Sequence, residues 1–86
     1  MKPLVLPQVN LNGTSRERLV EQQGDVATAL RKTYQAMAEA APNGRDYQFR
    51  PAEFYGAQEA WQERMQAIYL LLKEIMAHAT AIQDAE

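Results

Sequence analysis

Apolar side chains recur every three or four residues along the stretch from residue 54 to residue 82. The positions on this stripe are Phe54, Gln58, Trp61, Met65, Ile68, Leu72, Ile75, Ala79 and Ile82. This spacing places the side chains on one face of a helix, in the manner of a coiled-coil seam. The pattern therefore predicts a long helix whose apolar face must be covered by another element.

A second amphipathic stretch precedes this helix. Its seam comprises Leu19, Gln23, Val26, Leu30, Thr33, Met37 and Ala40, and is widened by Val20, Ala27, Tyr34 and Ala41. With Thr14 as the N-cap residue, Glu17 follows three residues later and completes a capping box, which predicts a helix start at residue 14. Pro42-Asn43-Gly44 ends the helix, because proline clashes with a continuing helix and Asn-Gly favours a turn.

The first 13 residues do not follow a helical period. Pro3 and Pro7 restrict the backbone, and Val9-Asn10-Leu11-Asn12 alternates as an extended segment does. The predicted fold is one all-α domain, an antiparallel hairpin of two helices with an extended N-terminal arm. We predict the arm over residues 1–13, the first helix over 14–41, the loop over 42–50 and the second helix over 51–84, with Pro51 at its first position.

The second helix is predicted to be longer and more broadly apolar than its partner. Tyr69, Leu70, Leu71 and Met76 extend its apolar face beyond the reach of one neighbouring helix. Chains of 86 residues bury a modest share of their surface and often gain stability by association. We therefore expect a homo-oligomeric helical bundle. The apolar arm either folds back on its own helices or crosses to another subunit.

Composition narrows the classes of function. The chain has no cysteine, 9 Lys and Arg, and 11 Asp and Glu. The balance of charge provides no general attraction to a membrane surface or to nucleic acid, so nucleic-acid binding ranks below the other hypotheses. The short apolar run at residues 4–6 is closed by Pro7, which is not typical of a signal peptide. No metal site and no cofactor are predicted.

Catalytic chemistry has little support in the residues. His78 is the only histidine, and Glu74 one turn before it forms a pair that is typical of a helix surface. Thr14 and Ser15 are explained as helix caps, because no base accompanies them in the sequence. We therefore expect a protein that is not an enzyme.

Two clusters of residues are typical of binding sites. The first combines a helix N-terminus with two arginines, which suits a phosphate or a carboxylate. The second, around the loop, adds aromatic side chains that can stack on a base. The candidate ligand-binding residues are Asn12, Thr14, Arg16 and Arg18 in the first cluster, and Asn43, Arg45, Asp46, Tyr47, Phe49, Arg50 and Tyr55 in the second. Helix capping together with ordinary surface arginines is the favoured explanation of the first cluster, and for the second a plug of Phe54 and Tyr47 at the open end of the hairpin is as well supported as ligand contact.

Leu11-Asn12-Gly13-Thr14-Ser15 and Pro42-Asn43-Gly44-Arg45-Asp46-Tyr47 are separated by one amphipathic helix and followed by a second. In this arrangement the chain resembles a group of short tailed-phage and prophage proteins of undescribed function. The resemblance implies a phage-encoded protein that acts in the cytoplasm of the bacterial host. It implies no activity and assigns no role to any residue.

These observations lead to three hypotheses. The first is a binding protein that sequesters a small anionic, nucleotide-derived immune signal of the host in pockets between subunits, similar in kind to phage sponge proteins. The second is an inhibitor or adaptor of a host defence protein that docks through the arm or the second helix. The third is a helical accessory of the phage particle or of its replication machinery.

Overall fold

The structure, a computed structural model, describes residues 1–85. It consists of α1 (Arg16–Glu39), a 3₁₀ turn (Gly44–Tyr47) and α2 (Pro51–Asp84). The two α-helices pack against each other as an antiparallel hairpin that measures 63 × 22 × 17 Å. No strand is present in the part of the chain that the structure describes. The predicted all-α helical hairpin is therefore confirmed.

The apolar stripe of α2 faces the interior along its whole length. All nine positions of the predicted seam are buried or half-buried, and Leu72 and Ile82 are the most enclosed, with 9% and 2% of their surface exposed. Burial of an aliphatic side chain contributes about 1.5–3 kcal/mol. This seam is therefore the main source of cohesion in the hairpin.

The start of α1 differs from the prediction. Ser15 is the N-cap residue, and its Oγ accepts a hydrogen bond from the backbone N–H of Arg18 at 3.1 Å. Glu17 consequently occupies the second helical position and does not complete a capping box with Thr14, so that prediction was wrong. The helix also ends at Glu39 and not at residue 41, with Ala40 as its C-cap residue.

The inward face of α1 lies slightly to one side of the predicted seam. Ala27 is the one fully buried residue of this helix, with 4% of its surface exposed, whereas Val26 and Thr33 are exposed. Neighbouring residues on a helix lie about 100° apart, so a face that buries Ala27 leaves Val26 toward solvent. Leu19, Gln23, Leu30 and Met37 of the predicted seam are half-buried, whereas Val26, Thr33 and Ala40 are not.

The arm lies along the C-terminal half of α2. Met1 borders a depression with Ala67, Ile68 and Leu71, and residues 7–10 border another with Arg16 and Ala85. The arm thus runs in the same direction as α2. Beneath it the half-buried stripe of α2 widens to include Leu71, His78 and Ala85. Of the two alternatives for the arm, the structure of the single chain has it folded back on its own helix.

Candidate functional site

The segment between the arm and α1 forms a tight turn. The N–H of Gly13 donates to the carbonyl of Asn10 at 3.2 Å, and the N–H of Asn12 donates to the Asn10 side-chain oxygen at 3.0 Å. Such an Asx turn reverses the chain with local hydrogen bonds alone. The amides of Asn12 and Gly13 are therefore used within the turn and are not free for a ligand.

Arg16 is the residue of the first cluster that the fold encloses. It is half-buried, and its Nε is buried without a hydrogen-bond partner among residues 1–85. It lines three adjoining depressions: one with residues 7–10 and Ala85 (≈ 440 Å³), one with residues 9–11, Gly13 and Ser15, and one with Val20 and Gln83. An enclosed guanidinium N–H without an acceptor is unusual, and the side chain that carries it borders these three depressions.

The amides at the start of α1 are only partly occupied. Ser15 accepts from the N–H of Arg18 through its side chain and from the N–H of Leu19, at 2.9 Å, through its carbonyl. The amides of the first two helical residues, Arg16 and Glu17, have no acceptor in the helix, as at any helix N-terminus. Together with the Arg16 side chain they form a group of donors without an internal acceptor.

The second cluster surrounds the 3₁₀ turn. Asn43 caps it, with its side-chain oxygen accepting from the N–H of Arg45 at 2.9 Å and from the Nε of Arg45 at 3.3 Å. The N–H of Asp46 donates to the Asn43 carbonyl at 3.0 Å. These bonds shape the loop and hold the Nε of Arg45, a residue that is exposed as a whole.

The aromatic residues at the loop divide into two groups. Tyr47 is half-buried and packs on Phe54 with ring centroids 5.9 Å apart, so this pair plugs the open end of the hairpin. Phe49 and Tyr55 are 95% and 70% exposed. Asp46, Tyr47, Phe49, Arg50 and Glu53 line an open depression of ≈ 300 Å³. Phe49 is therefore the most accessible aromatic side chain for a ligand, and Tyr55 keeps an exposed side although its ring centroid lies 5.8 Å from that of Phe54.

Two of the candidate arginines already have carboxylate partners. Arg18 pairs with Glu21 at 3.1 Å, and Arg50 pairs with Glu53 at 3.5 Å. Both pairs are solvent-exposed, and exposed ion pairs contribute little, roughly 0–1 kcal/mol. An incoming anion would compete with these carboxylates, which makes Arg18 and Arg50 weaker candidates than Arg16 and Arg45.

The two clusters lie at opposite ends of the hairpin. They are joined by α1, whose 24 residues rise about 36 Å. Of the candidate residues, only Arg16 and Tyr47 are half-buried; the exposed ones are Asn12, Thr14, Arg18, Asn43, Arg45, Asp46, Phe49, Arg50 and Tyr55. Within one chain the clusters therefore form two separate open surfaces, and no single ligand contacts both.

The remaining candidates for chemistry are isolated. His78 is half-buried on α2 and Glu74 is exposed one turn before it. Among residues 1–85, no three His, Asp or Glu side chains converge as metal ligands do. Over the same residues, no helix combines the length and the apolar character needed to cross a bilayer.

The fold brings together a further group of side chains, from both α1 and α2, that the sequence does not predict to be in contact. Where α1 and α2 meet at mid-length, Tyr34 and Tyr69 lie 6.3 Å apart between ring centroids, and Arg31 Nη2 contacts Met76 Sδ at 3.3 Å. Lys73 Nζ lies 5.4 Å from the centre of the Tyr69 ring. The sequence places these residues near the seams but does not reveal that they meet, since that depends on the register between the helices.

No family model matches the chain, and neither the curated proteins nor the solved structures include a significantly similar one. Functional arguments for this protein consequently depend on its own residues and geometry.

Proposed function

We propose that the protein is a non-enzymatic binding protein that sequesters a small anionic, nucleotide-derived signal in pockets between subunits. The observation that carries this proposal is the state of Arg16. Its buried Nε has no hydrogen-bond partner within residues 1–85, and the residue lines depressions together with Ser15 and Glu17 at the start of α1. A phosphate group bound in these depressions would bring several acceptor oxygens and a negative charge to the Arg16 guanidinium and to the helix N-terminus.

A pocket between subunits is needed for a nucleotide. The depressions around Arg16 are lined by no aromatic side chain, whereas Phe49 and Tyr55 are exposed at the other end of the hairpin. When two hairpins pack antiparallel, the Arg16 end of one meets the loop end of the other. Arg16 then holds the phosphate, Arg45 adds a second positive charge, and the exposed aromatic rings stack on the base.

The setting proposed for this activity is the cytoplasm of an infected bacterium. It is supported by the resemblance of the Leu11-Asn12-Gly13-Thr14-Ser15 and Pro42-Asn43-Gly44-Arg45-Asp46-Tyr47 segments to phage and prophage proteins, and the absence of cysteine is compatible with a reducing compartment. Removal of a nucleotide signal would blunt the host defence without any chemical step.

Native mass spectrometry tests the proposal directly. The protein is purified from bacteria with an active nucleotide-signalling defence and, in parallel, from cells that lack it. The expected result is an oligomer that carries a discrete added mass only in the first sample. An oligomer without added mass in both samples, together with no thermal stabilisation by a panel of cyclic nucleotides and ADP-ribose derivatives, would contradict sequestration.

Single substitutions then test the residues. Arg16→Gln should weaken binding about 10- to 100-fold, the effect of losing one charge-assisted hydrogen bond. Arg18→Gln is the matched control, because the Arg18 side chain is close to Arg16 in sequence but is exposed and already paired with Glu21. Arg45→Gln should also weaken binding. Unchanged affinity in both Arg16→Gln and Arg45→Gln would show that the ligand binds elsewhere.

Docking on a host defence protein is the second candidate, and a separate observation favours it. Several large apolar side chains remain exposed on the single chain, among them Val5 (83%), Leu11 (104%) and Leu70 (55%). Exposed apolar surface of this kind marks sites of protein association. A pull-down in which Leu70→Lys or Val5→Ser abolishes capture of one specific host protein, while nucleotides have no effect, would support this function over sequestration.

A further inference from the structure

One face of the hairpin carries aromatic and positively charged side chains across the junction of the two helices. We name it the tyrosine face; its members are Arg31, Tyr34, Tyr69, Lys73 and Met76. They contact one another across the helices or along α2, and all five are exposed, with Tyr34 at 36%, Tyr69 at 41% and Met76 at 43%. The arm does not reach this face, since it borders α2 at Ala67, Leu71 and Ala85.

The helical period extends the same face in both directions without an acidic residue. On α2 the face continues through Gln62, seven residues before Tyr69, and through Thr80, four residues after Met76. On α1 it continues through Gly24, seven residues before Arg31, and through Ala38, four residues after Tyr34. A Cβ added to Gly24 meets nothing within 4 Å, so the space above it is open. The face is therefore a shallow surface that carries two positively charged side chains, Arg31 and Lys73, among aromatic and apolar ones.

The exposed area indicates what covers it. The chain exposes 6983 Å², whereas a compact protein of its mass exposes about 5,200 Å². The radius of gyration is 18.3 Å, against about 12 Å for a compact chain of this length. The excess of about 1,800 Å² per chain exceeds the roughly 800 Å² that each partner buries in a standard interface. A second copy supplies a surface of matching length and shape.

We propose that a second copy of the chain docks antiparallel on the tyrosine face, with a two-fold axis passing beside Tyr69. Tyr69 lies near the midpoint of α2 (Pro51–Asp84), so a two-fold axis at this position aligns the two hairpins along their full length. In such an isologous interface Tyr69 meets Tyr69 of the second copy, and residues four positions before and after it meet each other.

Two copies bring four positive charges to this interface, Arg31 and Lys73 of each, and the repulsion between exposed charges is screened by salt over about 8 Å. Lys73 of one copy faces Met65 of the other, and the two Lys73 side chains are separated by eight residues of helix, about 12 Å. Antiparallel packing also brings the Arg16 end of one chain to the Arg45 end of the other. The inference thus rests on the self-association in the proposed function and specifies the surface that produces it.

Cysteine cross-linking tests the face, because the natural chain contains no cysteine. Under mild oxidation, Tyr69→Cys should form a disulfide-linked dimer within minutes at micromolar concentration. Leu70→Cys is the matched control: it is the next residue, it is more exposed at 55% against 41%, and it lies on a different side of α2. Equal or faster cross-linking of Leu70→Cys would overturn the proposal.

A mixture of Gln62→Cys and Met76→Cys tests the direction, because these two exposed positions lie seven residues before and seven residues after Tyr69. Antiparallel packing about Tyr69 predicts mixed dimers in excess over either homodimer. Parallel packing predicts that each variant links to itself, and this result would overturn the antiparallel arrangement.

Sedimentation provides a second, independent readout. Tyr69→Lys should shift the wild-type oligomer to a smaller species, whereas Leu70→Lys should not, with helix content by circular dichroism verifying that both variants fold. A wild-type protein that remains monomeric at about 100 µM, where weak dimers of micromolar Kd associate, would overturn the face. If Tyr69→Cys does not cross-link while the wild-type protein still carries a ligand in native mass spectrometry, this face is contradicted and sequestration is not. If Tyr69→Cys cross-links while no ligand is found, sequestration is contradicted and the face is not.

Discussion

The indole Nε1 of Trp61 donates a hydrogen bond of 2.7 Å to the backbone carbonyl of Met37. Met37 lies in the last turn of α1, where carbonyl groups receive no hydrogen bond from an N–H of the same helix. The N–H of Ala40 donates to the carbonyl of Ala36, and the N–H of Ala41 donates to the carbonyl of Ala38. Neither of these N–H groups therefore bonds to the Met37 carbonyl. A side chain of α2 therefore caps the C-terminus of α1 and fixes the register of the two helices.

Trp61→Phe should lower the free energy of unfolding by about 1–2 kcal/mol, the loss of one hydrogen bond to a half-buried carbonyl. Most of the ring packing is kept, so the effect isolates the donor. Urea denaturation at a fixed protein concentration measures it. Tyr55→Phe is the control, because Tyr55 is 70% exposed and no hydrogen bond of its hydroxyl is present among residues 1–85. A change equal to that of the control would mean that the Trp61–Met37 bond does not stabilise the protein.

The cap of α1 supplies a second prediction. Ser15→Ala should destabilise the protein by about 1 kcal/mol, because the N–H of Arg18 loses its acceptor. Thr14→Ala should change stability by only a few tenths of a kcal/mol, since Thr14 lies outside the helix and is exposed. Thermal unfolding of both variants distinguishes the two cap assignments. A larger loss of stability for Thr14→Ala than for Ser15→Ala would show that Thr14 is the N-cap residue.

This cap also illustrates where sequence reasoning failed. Thr14 and Ser15 are both good N-cap residues, and the spacing to Glu17 favours Thr14. The choice is made by the turn before the helix, in which Asn10 bonds to the amide of Asn12 and its carbonyl to that of Gly13. That turn determines where the chain can enter α1, and its geometry depends on the path of the arm along α2.

The seam of α2 shows the opposite case. Its nine positions follow from the helical period alone, since one continuous stripe must face whatever covers it. The candidate sites were predictable only as residue types near helix ends. The enclosure of Arg16, the plug formed by Tyr47 and Phe54, and the meeting of Tyr34 with Tyr69 all depend on tertiary packing.

The arm supplies a third prediction. Leu4 and Leu6 are each 47% exposed, whereas Val5 between them is 83% exposed. Alternate side chains of the extended arm therefore point toward the hairpin. Leu6→Ser should destabilise the protein by about 1 kcal/mol, in proportion to the apolar area that leaves contact. Val5→Ser is the matched control and should be nearly neutral; equal losses would show that the arm does not pack on α2 in solution.

Gly56 supplies the last prediction. It lies within α2, where glycine is less favourable than alanine by about 0.8–1 kcal/mol, because the flexible backbone of glycine loses more entropy on folding. A Cβ added to it meets nothing within 4 Å, so Gly56→Ala should raise the free energy of unfolding by close to that amount. Gly13→Ala is the contrasting control. Its Cβ would approach the Asn10 side-chain nitrogen to 3.3 Å in the turn before α1, so no gain is expected there. Urea denaturation of both variants at equal protein concentration measures the difference. A loss of stability in Gly56→Ala would mean that another surface packs closely on this part of α2, because the single chain leaves it open.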